Sequence, residues 1–185
     1  MSSFVKPSQV FLIIGFCFLM TAGYLLWQKY VPAKLSFTNT QLVQNTTTTQ
    51  NTSKLPVRLQ ISALDIDVAV QAMSFADSHW SAPSQGIVYL LDTPLPGQMG
   101  NSVLYGHNWN SLLGNLNKAK VGQTITIQFS DKSVQNFTIQ SIRVVSSNQA
   151  EVLDQSKDQR LTLYTCTGFW DQKRLVVVAK PQSSL

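Results

Sequence analysis

Period two governs this chain from Leu55 onward, and a chain with that pattern has to build sheets. Val57, Leu59 and Ile61 alternate with Arg58, Gln60 and Ser62, and Ile66, Val68 and Val70 resume the rhythm after Asp65. Successive strand side chains point to opposite faces, so the alternation gives each strand one apolar face and one polar face. Gln123–Phe129 and Val134–Gln140 flank Ser130-Asp131-Lys132-Ser133 and read as a hairpin. Shorter β-branched runs lie at Ile87–Leu91, Ser102–Tyr105, Ile142–Val145, Leu161–Thr165 and Arg174–Ala179. Pro94, Pro96, Gly97 and Gly100 punctuate one long loop. The best helix candidate is short, around Ser111–Lys118. About eight strands over roughly 130 residues, with so little helix, predict an all-β, closed or nearly closed barrel rather than βαβ units.

Ahead of the sheet lies a segment of opposite character. The 18 residues Val10–Trp27 (VFLIIGFCFLMTAGYLLW) carry no charge. At 1.5 Å per residue they span about 27 Å, close to the core of a bilayer. Trp27 and Tyr30 stand at one end, where an aromatic belt would lie. A buried globular helix rarely stays apolar all round for about five turns. A cleaved signal peptide could end near Thr21-Ala22-Gly23, yet the apolar run continues past them. Residues 10–28 therefore read as a retained transmembrane signal-anchor behind a short tail, 1–9. Lys6 precedes the span while Lys29 and Lys34 follow it, so the basic residues do not orient it. Residues 29–53 read as a flexible linker, because 36–53 are polar, uncharged and rich in Thr and Asn. Asn45, Asn51 and Asn136 head glycosylation sequons, which matter only in a cell that glycosylates. Residues 54–185 are the globular domain.

Only 12% of residues are charged and 44% are hydrophobic, which excludes a disordered chain. The formal charge is +5, but from Lys54 onward 11 basic residues face 9 acidic ones. No basic cluster marks the domain, and no nucleic-acid partner is expected. Two cysteines exclude a disulfide framework, and with two histidines a four-ligand zinc site would consume every Cys and His. No metal or other cofactor is expected. Cys17 lies in the apolar run, which leaves Cys166 as a free thiol, and a lone thiol outside the cytoplasm needs a reason.

Cys166 ends the run Leu161–Thr165, and Arg174 opens the next. If the two runs are antiparallel neighbours, Cys166 and Arg174 face each other across the mouth of their loop, with Cβ atoms about 5 Å apart. A guanidinium there can stabilise a thiolate or an oxyanion at any working pH. His107, in Leu104-Tyr105-Gly106-His107-Asn108, ends another run and can move protons. An ordinary thiol with a pKa near 8.5 is only about 3% ionised at pH 7. Cationic neighbours raise that share, so Cys, His and Arg make a useful set. The bland readings are a small buried hydrophobe for the cysteine and a solvated edge residue for the arginine. His79, in Asp77-Ser78-His79-Trp80, has no partner motif and reads as structural or surface.

Thr162-Leu163-Tyr164-Thr165-Cys166 resembles the Thr-Leu-x-Thr-Cys signature of sortases, the membrane-anchored cysteine transpeptidases. The resemblance covers most of residues 55–180. Leu59–Val70 is similar to the family's opening pair of strands. Ala82–Gly86, Pro94–Gly100 and Asn101–Asn108 resemble its Pro-Gly-rich approach to "Asn-Ser-Val-x-x-Gly-His", and Arg174-Leu175-Val176-Val177 its arginine strand. The resemblance implies an eight-stranded sortase-type barrel with short helices. It implies Cys166 as nucleophile, His107 as general acid/base and Arg174 as the group that steadies substrate and oxyanion. Thr165 would contact the sorting peptide or help hold the oxyanion. Tyr105 stands where members often carry a small residue, which bears on pocket shape, and Phe169 and Trp170 either line the substrate groove or pack onto the barrel. The substrates implied are surface proteins bearing a Leu-Pro-x-Thr-Gly-like signal cut after Thr, with a peptidoglycan precursor or a pilin lysine as amine acceptor. The family's topology would put the N-terminus in the cytoplasm and the catalytic domain outside, at the cell membrane. Val121–Phe129 lacks the clustered acids of calcium-responsive members, so no calcium requirement is expected. The compact domain without an obvious lid is most similar to the smaller class D, E or F members. A cysteine hydrolase and a non-catalytic membrane-tethered β-module are the alternatives from other classes. Product analysis with and without an added amine separates the first, and the module would not need Cys, His and Arg at three strand ends.

Overall fold

The computed structural model describes residues 7–30, 54–74 and 83–182. The linker reading over 36–53 and the reading of His79 fall outside them. The chain divides into two compact units, Met1–Val31 and Pro32–Leu185.

In the first unit Pro7–Tyr30 form one α-helix, α1. The hydroxyl of Thr21, a potential defect in an apolar helix, donates back to the carbonyls of Cys17 (2.6 Å) and Phe18 (3.0 Å). Phe11, Ile13, Phe16, Leu19, Leu26 and Trp27 are all exposed, so the helix is not a buried core element. Among the described residues no helix is long and apolar enough to cross a membrane.

In the second unit the strands are β1 (Pro56–Ile61), β2 (Ile66–Met73), β3 (Ile87–Leu90), β4 (Gly100–Gly106), β5 (Thr124–Phe129), β6 (Val134–Ser146), β7 (Gln159–Thr167) and β8 (Lys173–Pro181). They close in the order β1-β2-β3-β4-β7-β8-β6-β5, so each strand has two neighbours. The expected eight-stranded barrel is present. The β5–β6 hairpin is antiparallel, as its sequence predicts. The runs 134–140 and 142–145 are one long strand: a register shift between Ile139 and Ser141 lets β6 bend around the barrel while it pairs with β8. The expected helix at Ser111–Lys118 is a turn followed by a short 3-10 helix, Gly114–Lys118. Gly114, Asn115 and Asn117 favour local turns over α-helical hydrogen bonding.

Leu59, Ile61, Ile87, Tyr89, Leu104, Ile125, Ile127, Phe137, Leu163 and Val177 fill the main core. A second buried cluster contains Val88, Val103, Tyr105, Tyr164, Cys166 and Val176. Alternate residues of β3, β4, β7 and β8 thus belong to different clusters, and these strands are apolar on both faces. Buried polar groups at the start of β4 are paired. Thr162 Oγ1 donates to Asn101 Oδ1 (2.6 Å), Asn101 Nδ2 to the Asp154 carbonyl (3.1 Å) and Ser102 Oγ to the Pro94 carbonyl (2.6 Å).

Gly106, the last residue of β4, is where the barrel tolerates no side chain. An added Cβ would stand 2.6 Å from Ile87 Cγ2. Gly106→Ala should therefore lower unfolding stability by about 1–3 kcal/mol, the usual range for overpacking a dense core. Urea unfolding monitored by circular dichroism checks this, and an unchanged midpoint would contradict it.

Candidate active site

Three adjacent strands, β4, β7 and β8, bring the predicted residues to one end of the barrel. β4 and β7 run parallel, from Gly100 opposite Gln159 to Gly106 opposite Thr165. His107 and Cys166 are the next residue on each chain, so they leave the ladder side by side. β7 and β8 run antiparallel, and Cys166 is directly opposite Arg174. The strand arithmetic that put the thiol across from the guanidinium is thus met in the register.

All three side chains are buried: His107 is 6% exposed, Cys166 4% and Arg174 5%. Cys166 sits in the second cluster with Tyr105, Tyr164 and Val176. This environment keeps bulk water from the sulfur, and the cation two strand-columns away from β4 gives it an electrostatic partner. Burying a guanidinium needs acceptors. Arg174 Nη1 donates to the carbonyls of Asp171 (2.7 Å) and Lys173 (3.0 Å), which aims the group back across its own loop.

The chain beyond β4 is folded so that His107 is held in place. The His107 carbonyl accepts from Leu113 N–H (3.2 Å), and the Trp109 carbonyl accepts from the N–H groups of Leu112 and Gly114 (each 2.8 Å). Gly114 is required there, because a Cβ would meet the Trp109 backbone at 2.8 Å. The Trp109 indole stacks on the His107 imidazole, with centroids 4.4 Å apart and planes within 6°. This face-to-face contact fixes the ring plane and offers a π surface to an imidazolium.

The remaining predicted residues are placed as follows. Thr165 is 1% exposed, and its hydroxyl donates to the Gly106 carbonyl at 2.8 Å. It clips β7 to the end of β4, so its side-chain proton is already committed. Tyr105 is buried in the cluster that holds Cys166. Phe169 is 82% exposed, while Trp170, 39% exposed, has most of its surface covered and meets the Phe169 ring edge to face at 5.5 Å.

Two residues escaped the sequence reading. Trp109 lacks a motif of its own, and only its spacing of two from His107 hints at the stack. Tyr164 occupies the variable position of the cysteine run. Burial pushes its phenol well above the ordinary tyrosine range, against the Arg174 guanidinium, whose charge and hydrogen bond pull the other way. Burial likewise pushes Tyr105 up from 10.0 to about 12.

Comparison with known proteins bears on the fold and the family. The sequence model of the family described as Sortase domain matches residues 59–182. No curated protein matches the chain significantly. Among solved structures, the chain is similar to sortase A from Corynebacterium diphtheriae (lid mutant), with TM-score 0.61 and 21% identity over 70% of this chain and 71% of that one. It is similar to the Clostridium perfringens sortase D5 transpeptidase, with TM-score 0.59 and 25% identity over 69% and 79% of the two chains. It is also similar to sortase C1 of the group B Streptococcus pilus island 1, with TM-score 0.61 and 25% identity over 70% and 66%.

The tyrosine beside the thiol gives a pH test. Its folded pKa lies above the unfolded value, so the neutral phenol stabilises the fold below pH 10, and that contribution is lost as pH rises through about 12. Urea midpoints taken across this window should fall less steeply for Tyr105→Phe than for the wild type. Parallel curves would show that Tyr105 ionises as freely as in the unfolded chain.

Proposed function

The chain belongs to the sortase family, whose members are cysteine transpeptidases, and from that premise we propose how its own residues carry the reaction. The observation that carries the proposal is the register: Cys166 opposite Arg174, with His107 one residue past the Gly106–Thr165 pair. The Cys166 thiolate attacks the carbonyl carbon of the threonine in a Leu-Pro-x-Thr-Gly-like signal, forming a C–S bond and an oxyanion. The Arg174 guanidinium stabilises that charge in a site shielded from water, where such stabilisation is worth most. Collapse breaks the Thr–Gly C–N bond, and His107 as imidazolium gives its proton to the departing amine. An acceptor amine then attacks the thioester. Its proton passes to His107, and the Cys166 thiolate leaves. The acylated amine is the product, which is a transpeptidation.

Thr165 serves this scheme by holding the strand end that carries His107, and Tyr105 shapes the apolar wall around the sulfur. The exposed Trp170 stands ready for the peptide. Surface proteins with a sorting signal are the proposed donors. A peptidoglycan precursor is the proposed acceptor, with a pilin lysine as the second reading, supported by the likeness to a pilus-island sortase. Within the family, a smaller type near class D, E or F is supported by the D5 neighbour, 79% of which this chain covers.

The proposed topology is a single N-terminal span with the domain at residues 54–185 outside the membrane. It is supported by the uncharged Val10–Trp27 run, which is helical throughout and exposes the side chains of Phe11–Trp27. The full-length chain should stay in the membrane fraction after carbonate washing. A shortened, soluble product would show a cleaved signal peptide instead.

Cys166→Ala should abolish the acyl-enzyme adduct seen by mass spectrometry with a sorting peptide, while Cys17→Ala keeps turnover. Arg174→Lys should lose about 10²–10³ in transpeptidation rate, the cost of one oxyanion donor, because an ammonium cannot hold two acceptors in one plane. An adduct persisting in Cys166→Ala would overturn the nucleophile, and near-normal rates in Arg174→Lys would reduce the arginine to generic charge.

A further inference from the structure

Asp171 lies in the loop between β7 and β8 and makes two contacts that no motif assigns to it. Its carbonyl accepts from Arg174 Nη1 at 2.7 Å, and its carboxylate Oδ1 accepts from Asn108 Nδ2 at 2.9 Å. Asn108 is the residue directly after His107. One residue therefore joins the segment that carries the histidine to the guanidinium opposite the cysteine. The loop needs such a fastening. Gly168 (φ 82°), Trp170 (φ 57°) and Asp171 (φ 55°) all lie in the left-handed region, and two of these are not glycine. Residues held there persist only where their surroundings over-determine them. The turn closes on thin backbone support, from Asp171 N–H to the Gly168 carbonyl at 3.3 Å and from Gln172 N–H to the Phe169 carbonyl at 3.4 Å. The side-chain bridge to Asn108 is shorter than both, and it is the contact that reaches out of the loop to the end of β4.

We propose that Asp171 is a positioning residue: through its bridge to Asn108 it fixes the Arg174 guanidinium relative to His107, so that both groups meet the substrate in one geometry. The proposal rests on the reading of Cys166, His107 and Arg174 given above. In this proposal Asp171 acts through Asn108 and Arg174 and not on the substrate or the sulfur. Its effect is on turnover more than on peptide binding, because misplacing a donor from a developing oxyanion penalises the transition state and spares the ground state.

The test uses the full chain, a sorting-signal peptide and an amine acceptor, with kcat and KM measured separately. Asp171→Gly keeps the left-handed backbone and removes the bridge, and Asn108→Ala removes the same bridge from a residue with ordinary backbone geometry. Each should lower kcat about tenfold with KM within about twofold, in the range expected for a small misplacement of catalytic groups. Asp171→Asn should retain most activity, since its amide oxygen still accepts from Asn108 and asparagine tolerates the left-handed region. The double variant Asp171→Gly/Asn108→Ala should be no slower than the worse single, as two ends of one bridge must be. Additive losses, a loss carried by KM, or an Asp171→Asn variant as slow as Asp171→Gly would overturn the proposal. Cys166→Ala is run beside them. Activity surviving in Cys166→Ala would overturn the reading of the site itself. An inactive Cys166→Ala with wild-type rates in Asp171→Gly and Asn108→Ala would overturn the bridge alone.

Discussion

Parallel pairing of β4 with β7 is the constraint on which the rest of this molecule depends. Parallel strands finish at the same edge of a sheet, and here the ladder runs from Gly100 opposite Gln159 to Gly106 opposite Thr165. An antiparallel pair would have sent His107 to the far end of the barrel from Cys166. Such pairing cannot be made by a tight turn and needs a long crossover. The chain between the two strands supplies it with the β5–β6 hairpin, which itself closes the barrel against β1. The register is pinned at both ends by buried hydroxyls, Thr162 to Asn101 at the start and Thr165 to Gly106 at the finish. Slippage by one residue would break both and turn every side chain of β7 to the other face.

Burial on both faces follows from this arrangement and sets the character of the site. Leu161 and Leu163 face the main core while Tyr164 and Cys166 belong to the second cluster. The thiol therefore sits among aromatic and β-branched side chains, with Arg174 as the cation of its face. The buried guanidinium donates to the carbonyls of Asp171 and Lys173, which offset part of the cost of taking it out of water. Reactivity and stability are tied together here, since the acceptors that make the charge bearable also decide where it points.

Much of this was legible in the chain because it is local. The alternation of Val57 to Ile61 announces strands, and the β5–β6 hairpin follows from two such runs around Ser130–Ser133. The Cys166–Arg174 pair follows from hairpin arithmetic, since their strands are joined by a short loop. The placement of His107 beside Cys166 is another matter. They are far apart in sequence, and nothing local says that β4 and β7 run parallel, so the family resemblance supplied that link. The bend in β6 was missed because Gln140 looks like any polar residue between two apolar runs. The segment expected to be helical ends as a 3-10 turn at Gly114–Lys118 because Gly114, Asn115 and Asn117 favour local turns, a preference that carries no periodic signal. Trp109 and Asp171 were invisible for a further reason: a ring stack and a side-chain bridge leave no period in the sequence.

Closure of the barrel has one more consequence, for how an extended polypeptide can be recognised. A sheet with a free border can read a peptide by accepting it as an additional strand, and main-chain hydrogen bonds then supply affinity with little regard to sequence. In this domain β1 pairs with β5, so the sheet closes on itself and no strand lies at an outer edge of the strand order. In the proposed reaction a client peptide is held chiefly by side chains and loop backbone at the rim where Cys166 and Arg174 lie. On that reading discrimination falls mainly to side-chain contacts at the rim rather than to main-chain pairing.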